Sequence, residues 1–239
     1  MRKGIEAYKK AKVEEAIAHL SETIRLDSTN AQAYYFRGLA HGLKVQDKKE
    51  ELSDFNEAIR LNPNYAEAYR QRGWSHLMHS QTDKSLKDLS EALRIEAKDD
   101  KALWMRAYVY YEVKEYAKAK MDCEEAIRLN PKNPSAHSVL ARILACCPED
   151  KMRDGEIAVK NATKACELMS WKYPAYIDLL ALAYAEAGQF EDAVKWEKKA
   201  LEIAGEGLVA ETEKKRFKGH LRSFEQRKPV RITSLRTGE

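Results

Sequence analysis

The chain has 239 residues, of which 33% are charged and 44% hydrophobic, and only 10 glycines and 6 prolines interrupt it. This composition is typical of a folded, helical protein and excludes a disordered one. Apolar runs are shorter than the about 18–20 residues of a membrane-spanning helix, and the start at Met1 lacks the apolar core of a signal peptide.

The net charge of +4 is unevenly distributed along the chain. Residues 208–239 contain nine Lys or Arg against four Asp or Glu, so the rest of the chain is close to neutral. A nearly neutral body has no field suited to nucleic acid, and only the C-terminal segment is basic.

Apolar residues at helical spacing predict six helix pairs followed by one more helix. The pairs are expected at 2–10 and 13–26, 31–43 and 47–61, 65–78 and 82–95, 99–112 and 115–129, 134–146 and 154–169, and 174–187 and 190–204. A final helix is expected at about 208–226, and residues 229–239 are expected to be loose.

A five-residue phrase in the second helix of each pair recurs at a nearly constant distance. It reads Glu-Thr-Ile-Arg-Leu from Glu22 and Glu-Ala-Ile-Arg-Leu from Glu57, and further copies follow at spacings of 34, 34, 39 and 35. Those copies begin at Glu91, Glu125, Lys164 and Lys199. Self-similarity at this period is the signature of a repeat protein.

Small residues recur at the same period, and we expect them to let the two helices of each pair approach closely. In the first helices they are Gly4, Gly38, Gly73, Ala107, Ala141 and Ala181. In the second helices they are Ala16, Ser85, Ala119, Ala158 and Ala193, and Glu51 with Glu50 replaces a small residue in the second pair.

The 34-residue period and this pattern of small and apolar positions resemble the tetratricopeptide repeat over residues 1 to about 207. The resemblance implies an all-α, right-handed α-solenoid of about six repeats, near 1–30, 31–65, 66–99, 100–133, 134–173 and 174–207. A basic helix at 208–228 would then cap the array, and residues 229–239 would form a flexible tail.

The pattern is interrupted twice. One extra residue lies within 44–49, where we expect a longer turn or a shifted helix start. The fifth repeat carries an insertion at 147–155, in which Pro148 should end one helix and Asp154 should cap the next. The sequence around this insertion resembles a subtype of tetratricopeptide protein often found in large multidomain bacterial proteins.

Candidate catalytic and metal-binding residues are scarce. The four cysteines form no CxxC pair, so we expect them to be reduced and buried. His76 and His79 are three residues apart without a pattern for a third ligand, which favours solvent-facing histidines over a metal site. We therefore expect no enzymatic activity, no cofactor and no small-molecule substrate.

The resemblance places the first helix of each repeat on the concave groove, where a partner would bind. The expected groove residues are rich in aromatic side chains, methionine and arginine, which often anchor interfaces. They are Tyr35, Phe36, Arg70, Trp74, Met78, Trp104, Met105, Tyr108, Tyr111 and Arg142. The alternative is that some of them pack between repeats or lie under the C-terminal helix.

Some tetratricopeptide co-chaperones hold a terminal carboxylate with Lys and Asn at set positions of consecutive first helices. This chain has Tyr35, Leu39, Gln71, Lys101 and Met105 at those positions, so the Lys–Asn set is missing. We therefore expect no carboxylate clamp and no strong binding to a terminal Glu-Glu-Val-Asp peptide.

The sequence thus predicts a cytoplasmic interaction scaffold that binds a protein or peptide partner in its groove, away from membranes. A second interpretation is a regulatory or sensory arm of a larger multidomain enzyme, for example a kinase. A third, nucleic-acid binding through the basic tail, is disfavoured because Phe217 and Phe224 suit a capping helix better.

Overall fold

The computed structural model describes residues 1–44, 48–206 and 210–232. Within these residues the chain is helical throughout, with short turns and one 3-10 turn at Asp150–Met152. The α-helices are α1 Arg2–Lys9, α2 Val13–Leu26, α3 Ala31–Gly42, α4 Lys48–Leu61, α5 Ala66–Met78, α6 Thr82–Ile95, α7 Asp100–Glu112, α8 Tyr116–Leu129, α9 Pro134–Cys146, α10 Gly155–Leu168, α11 Pro174–Glu186, α12 Phe190–Glu206 and α13 Glu211–Glu225.

The paired helices lie within two residues of their expected bounds, because the apolar spacing marks one buried stripe on each of them. α13 begins at Glu211, and the expected start at 208 lies outside the described residues. The expected change around the extra residue at 44–49 also falls largely there, since residues 45–47 are not described and α4 follows from Lys48.

The chain divides into two compact units, Met1–Ala102 and Leu103–Glu239. In the first unit the core forms around Leu20 and Phe55, where the first and second repeats bury their apolar stripes. In the second unit a larger core includes Tyr111, Leu144, Leu180 and Phe224, so it joins helices from α7 to α13.

Small residues set the distance between the two helices of a repeat, as expected. A Cβ atom added to Gly73 would lie 2.9 Å from Cγ of Leu89, and one added to Gly4 would lie 2.6 Å from Cγ of Leu20. Ala107, Ala141 and Ala181, the counterparts in the second unit, are fully buried.

In three repeats an arginine directly before the small residue joins the two helices of the repeat by a bidentate ion pair. Arg37 donates to Asp54 at 2.9 and 2.7 Å, and two further pairs repeat this geometry. They are Arg72 with Asp88 and Arg106 with Asp122. Bidentate geometry and partial burial make such pairs stronger than ordinary surface ion pairs.

The recurring phrase of the second helices forms an ion pair on the outer surface. Glu22 accepts two hydrogen bonds from Arg25, three residues later, and the next three copies do the same. In the last two copies the order of charges is reversed, with Lys164 bound to Glu167 and Lys199 to Glu202.

The insertion of the fifth repeat folds as the sequence predicts. α9 ends at Cys146, just before Pro148, and the Asp154 side chain accepts a hydrogen bond of 2.9 Å from the Ile157 backbone. Arg153 crosses to Glu186 at 2.8 Å, so the inserted turn is joined to the end of α11.

We expect Gly73→Val to destabilise the protein by about 1–3 kcal/mol, because the added methyl groups would force α5 away from Leu89. Urea unfolding followed by circular dichroism measures the change.

Gly219→Ala is the matched control, since Gly219 lies in α13 with nothing within 4 Å of an added Cβ. That change should leave stability unaltered or raise it by up to about 1 kcal/mol. Equal unfolding midpoints for wild type and Gly73→Val would contradict the close approach of the two helices.

Candidate interaction surface

Four of the ten expected groove residues are buried in the structure: Tyr35, Arg70, Met105 and Tyr111. Tyr35 packs between Phe55 and Tyr65, with ring centroids 6.1 and 4.9 Å away. For these four side chains the structure favours the alternative that the sequence left open, packing inside the array.

Arg70 is buried because it has a structural ion partner. Its guanidinium binds Asp99, whose other carboxylate oxygen accepts hydrogen bonds of 3.0 and 3.1 Å from the backbone N–H groups of Lys101 and Ala102. Asp99 therefore both caps the start of α7 and forms an ion pair with Arg70. Because its charge is already paired, Arg70 is poorly suited to bind an acidic partner.

The other six expected residues reach the surface at least in part: Phe36, Trp74, Met78, Trp104, Tyr108 and Arg142. Phe36 packs edge-on against Tyr8 and Tyr35. Met78 is the most open of the six, with 51% of its surface exposed.

An exposed apolar position is shared by two repeats of the first unit. Leu43 and Met78 each lie five residues after the small residue of their repeat, Gly38 and Gly73, and Leu43 is 54% exposed. We call Leu43, Met78, Phe36 and Trp74 the first-unit surface. Large apolar side chains exposed at equivalent positions make this region a candidate contact surface.

The same position in the last two repeats is covered by the chain itself. Five residues after Ala141 and Ala181 lie Cys146 and Glu186, and both contact the segment that follows α13. Ile232 donates its backbone N–H to the Cys146 carbonyl at 3.0 Å, and Arg231 lies 2.7 Å from the Glu186 carboxylate.

Residues 229–232 were expected to be loose, and the structure differs. Val230 and Ile232 pack against the core of the second unit, and the Tyr111 hydroxyl donates a hydrogen bond of 2.5 Å to the Ile232 carbonyl. Apolar burial and paired backbone groups hold this part of the tail, and residues 233–239 lie outside the described part of the chain.

A buried polar cluster fixes α13 to the last repeat. Nδ1 of His220 lies 2.5 Å from Oδ1 of Asp178 on α11, and Glu197 on α12 approaches the same carboxylate. Each of the three offers an oxygen or nitrogen within 4.8 Å of the others. Phe217 and Phe224 flank His220 on α13 and are buried as well, as a capping helix requires.

Electrostatics determine how this cluster is protonated. Burial, together with the negative charge of Asp178, raises the pKa of Glu197 far above its usual range. Burial also opposes ionisation of Asp178, but the hydrogen bond from His220 and the charges of His220, Arg142 and Arg216 lower its pKa overall. A protonated Glu197 beside an ionised Asp178 leaves a single negative charge on the two carboxyl groups.

His, Asp and Glu are also zinc ligands, so a cation is the alternative occupant. The guanidinium of Arg216 lies 3.9 Å from Oδ2 of Asp178, and Arg142 adds further positive charge. These positive charges already balance the one ionised carboxylate, Asp178, and oppose a cation, so the cluster is better explained as a docking contact for α13.

Sequence reasoning missed this cluster because 42 residues separate Asp178 from His220. A signal was present, however. Asp178 interrupts the apolar run from Ile177 to Leu182, and a carboxylate inside a buried stripe needs a polar partner.

Burial keeps the four cysteine thiols protonated and places His76 and His79 in contacts within their own repeat. All four cysteines are free and buried, as expected, and burial raises their pKa, so the thiols stay protonated. His76 and His79 were expected to face solvent, but both are partly buried. His76 lies 3.7 Å from Asp88, and Nδ1 of His79 bonds to the Ser75 carbonyl at 2.6 Å.

Two sequence profiles described as tetratricopeptide repeat match the chain, over residues 1–66 and 100–133. A comparison with curated protein sequences gave no match. Among the described residues, no helix has both the length and the apolar character that crossing a membrane requires.

Solved structures similar to the chain include the APC/C hetero-tetramer Cut9-Hcn1, with a TM-score of 0.77 and 15% identity over 92% of this chain and 41% of that one. PilF of Pseudomonas aeruginosa has a TM-score of 0.72 and 16% identity, covering 90% of this chain and 93% of its own. YrrB is described as a TPR protein with an unusual peptide-binding site. It has a TM-score of 0.58 and 18% identity, and the match covers 82% of this chain and 97% of YrrB. At such identities the similarity shows the fold, an all-α repeat solenoid.

We expect Glu197→Gln to stabilise the protein at pH 8 and to have little effect at pH 5. The folded protein keeps the Glu197 proton, whereas the unfolded chain releases it above its ordinary pKa of 4.5, so wild-type stability falls as the pH rises. Glutamine stays neutral in both the folded and the unfolded state, so it removes that cost. Thermal unfolding at both pH values should show a Tm gain of at least about 2 °C at pH 8.

The control is Glu202→Gln on the exposed face of α12, where Glu202 pairs with Lys199. This change should not alter the pH dependence of Tm. A Glu197→Gln protein that loses equal stability at both pH values would show that Glu197 is ionised in the folded state.

Proposed function

Because the chain is a tetratricopeptide-repeat protein, with repeats recognised over residues 1–66 and 100–133, we propose that it is an interaction scaffold that binds a protein or peptide partner through the first helices of its repeats. Repeat arrays of this kind present extended surfaces that stay rigid because each repeat buries its apolar face on its neighbours.

The observation that carries the proposal is the first-unit surface. Leu43 and Met78 occupy equivalent positions in consecutive repeats, and each is about half exposed. Contact of these apolar side chains with water is unfavourable, so covering them favours binding. Fully burying an exposed side chain of this kind contributes about 1.5–3 kcal/mol, so covering the exposed half of each contributes roughly 0.8–1.5 kcal/mol. Phe36 and Trp74, on the same two helices, add the aromatic area that often anchors an interface.

The second unit contributes candidate contacts of its own. Trp104, Tyr108 and Arg142 lie on α7 and α9 and are partly exposed. Arg142 is the charged member of this group, but its field already acts on the buried Asp178. It is therefore a weaker candidate for pairing with an acidic partner than the sequence indicated.

The neighbour described as having an unusual peptide-binding site supports a peptide as the class of partner, since it has the same fold. We propose recognition by apolar contacts, because the Lys–Asn set of a carboxylate clamp is missing. Two residues at the clamp positions, Tyr35 and Met105, are buried as well.

Trp74→Ala and Trp104→Ala, made together, should abolish partner capture while circular dichroism shows an unchanged helical fold. Each aromatic anchor of an interface contributes about 2 kcal/mol or more to binding. Removing both should therefore weaken the complex below what a pull-down detects. Pull-down with the purified full chain, followed by mass spectrometry, measures the capture.

A second test compares two variants, one with a photo-crosslinking residue at position 78 and a control with the same residue at position 121. Met121 is 68% exposed but lies on α8, a second helix of its repeat. The partner should be labelled from position 78 and not from position 121. Equal labelling from both positions would contradict the assignment of the surface to the first helices.

A further inference from the structure

After α13 the chain reverses and runs back over the second unit. Arg227 adopts a positive φ of 55° at this turn, and Lys228 donates its N–H to the Ser223 carbonyl at 2.9 Å. From Pro229 to Ile232 no helix forms, and the segment lies at the carboxyl ends of α9 and α11.

The backbone of the segment forms hydrogen bonds with two polar groups of the repeats. The Cys146 carbonyl at the end of α9 has no partner within its own helix, and the Ile232 N–H supplies one. The Tyr111 ring is fully buried, and its hydroxyl finds an acceptor in the Ile232 carbonyl. A single residue of the tail thus both donates and accepts, as an added peptide does in main-chain recognition.

The side chains of the segment alternate in character. Val230 and Ile232 are apolar and pack on the core, while Arg231 between them reaches Glu186. Glu186 is held in place from the other side by Arg153 of the fifth-repeat insertion. The site therefore binds an extended segment that has an arginine between two apolar residues.

We propose that Val230–Ile232 occupies, within its own chain, a binding site for an extended peptide with an arginine between two β-branched apolar residues. A partner with this pattern binds by displacing the tail. The inference rests on the proposed scaffold function but concerns a different surface from Leu43 and Met78.

The tail can leave without disturbing the repeats. α13 is held independently by the Asp178–His220 contact and by the buried Phe217 and Phe224. The tail itself is short, and the Arg231 side chain keeps 34% of its surface exposed. A tethered segment of this length competes at an effective concentration of order mM, so it can be displaced only by a peptide that binds more strongly than the tail.

The test uses a fluorescent peptide with the sequence of residues 226–236 and the full-length chain. In Arg231→Glu/Ile232→Ser the tail should be released, and fluorescence anisotropy should show the peptide binding at least about ten-fold more tightly than to wild type. A peptide with glutamate in place of its arginine should not bind. Glu186→Gln, added to the released variant, should weaken binding of the normal peptide.

Arg222→Glu is the matched control, because Arg222 is an exposed arginine on α13 with no contact to the site. It should bind the peptide as weakly as wild type. Equal affinity of wild type and released variant would overturn occupation of the site by the tail, and no binding to either would overturn the site itself. Crosslinking from position 78 would be unaffected by both results, so failure here is distinguishable from failure of the scaffold function.

Discussion

The close approach of the two helices within each repeat is the constraint on which the structure depends. Gly38 and Gly73, and alanines at the equivalent places, let the second helix lie directly against the first. Only at that distance can Arg37, Arg72 and Arg106 each reach an aspartate across the hairpin with both prongs of the guanidinium. Helix spacing, ion pairing and the direction of the remaining side chains therefore follow from one small residue per repeat.

The same position in the repeat serves different ends in the two units. In the second and third repeats it is apolar and exposed, whereas in the fifth and sixth it supplies a backbone carbonyl and a carboxylate that the C-terminal tail covers. α13 makes this difference possible, because its docking on Asp178 and Glu197 brings the chain end back to the repeats. The buried carboxyl pair costs ionisation energy, which His220, Arg216 and a retained proton offset.

Much of this fold could be predicted from the sequence, because its signals are local. The period, the small residues, the helix stop at Pro148 and the cap Asp154 act within one hairpin, so spacing alone locates them. Burial of Tyr35, Arg70, Met105 and Tyr111 could not be predicted, since it depends on which neighbour fills the space beside each side chain. The contact of Asp178 with His220 and the return of Ile232 to Tyr111 join residues 42 and 121 positions apart, where no periodic pattern exists.

The placement of the arginine contacts has an evolutionary consequence. Arg37 and Arg72 bind an aspartate of their own hairpin and, with the remaining nitrogen, a small polar residue of the preceding one, Ser21 at 3.1 Å and Asn56 at 2.7 Å. A duplicated hairpin therefore carries both the arginine and the small polar residue that the next hairpin contacts. The array can thus gain a hairpin by gene duplication. The sixth hairpin differs from the others, because it carries Asp178 and Glu197, on which α13 docks.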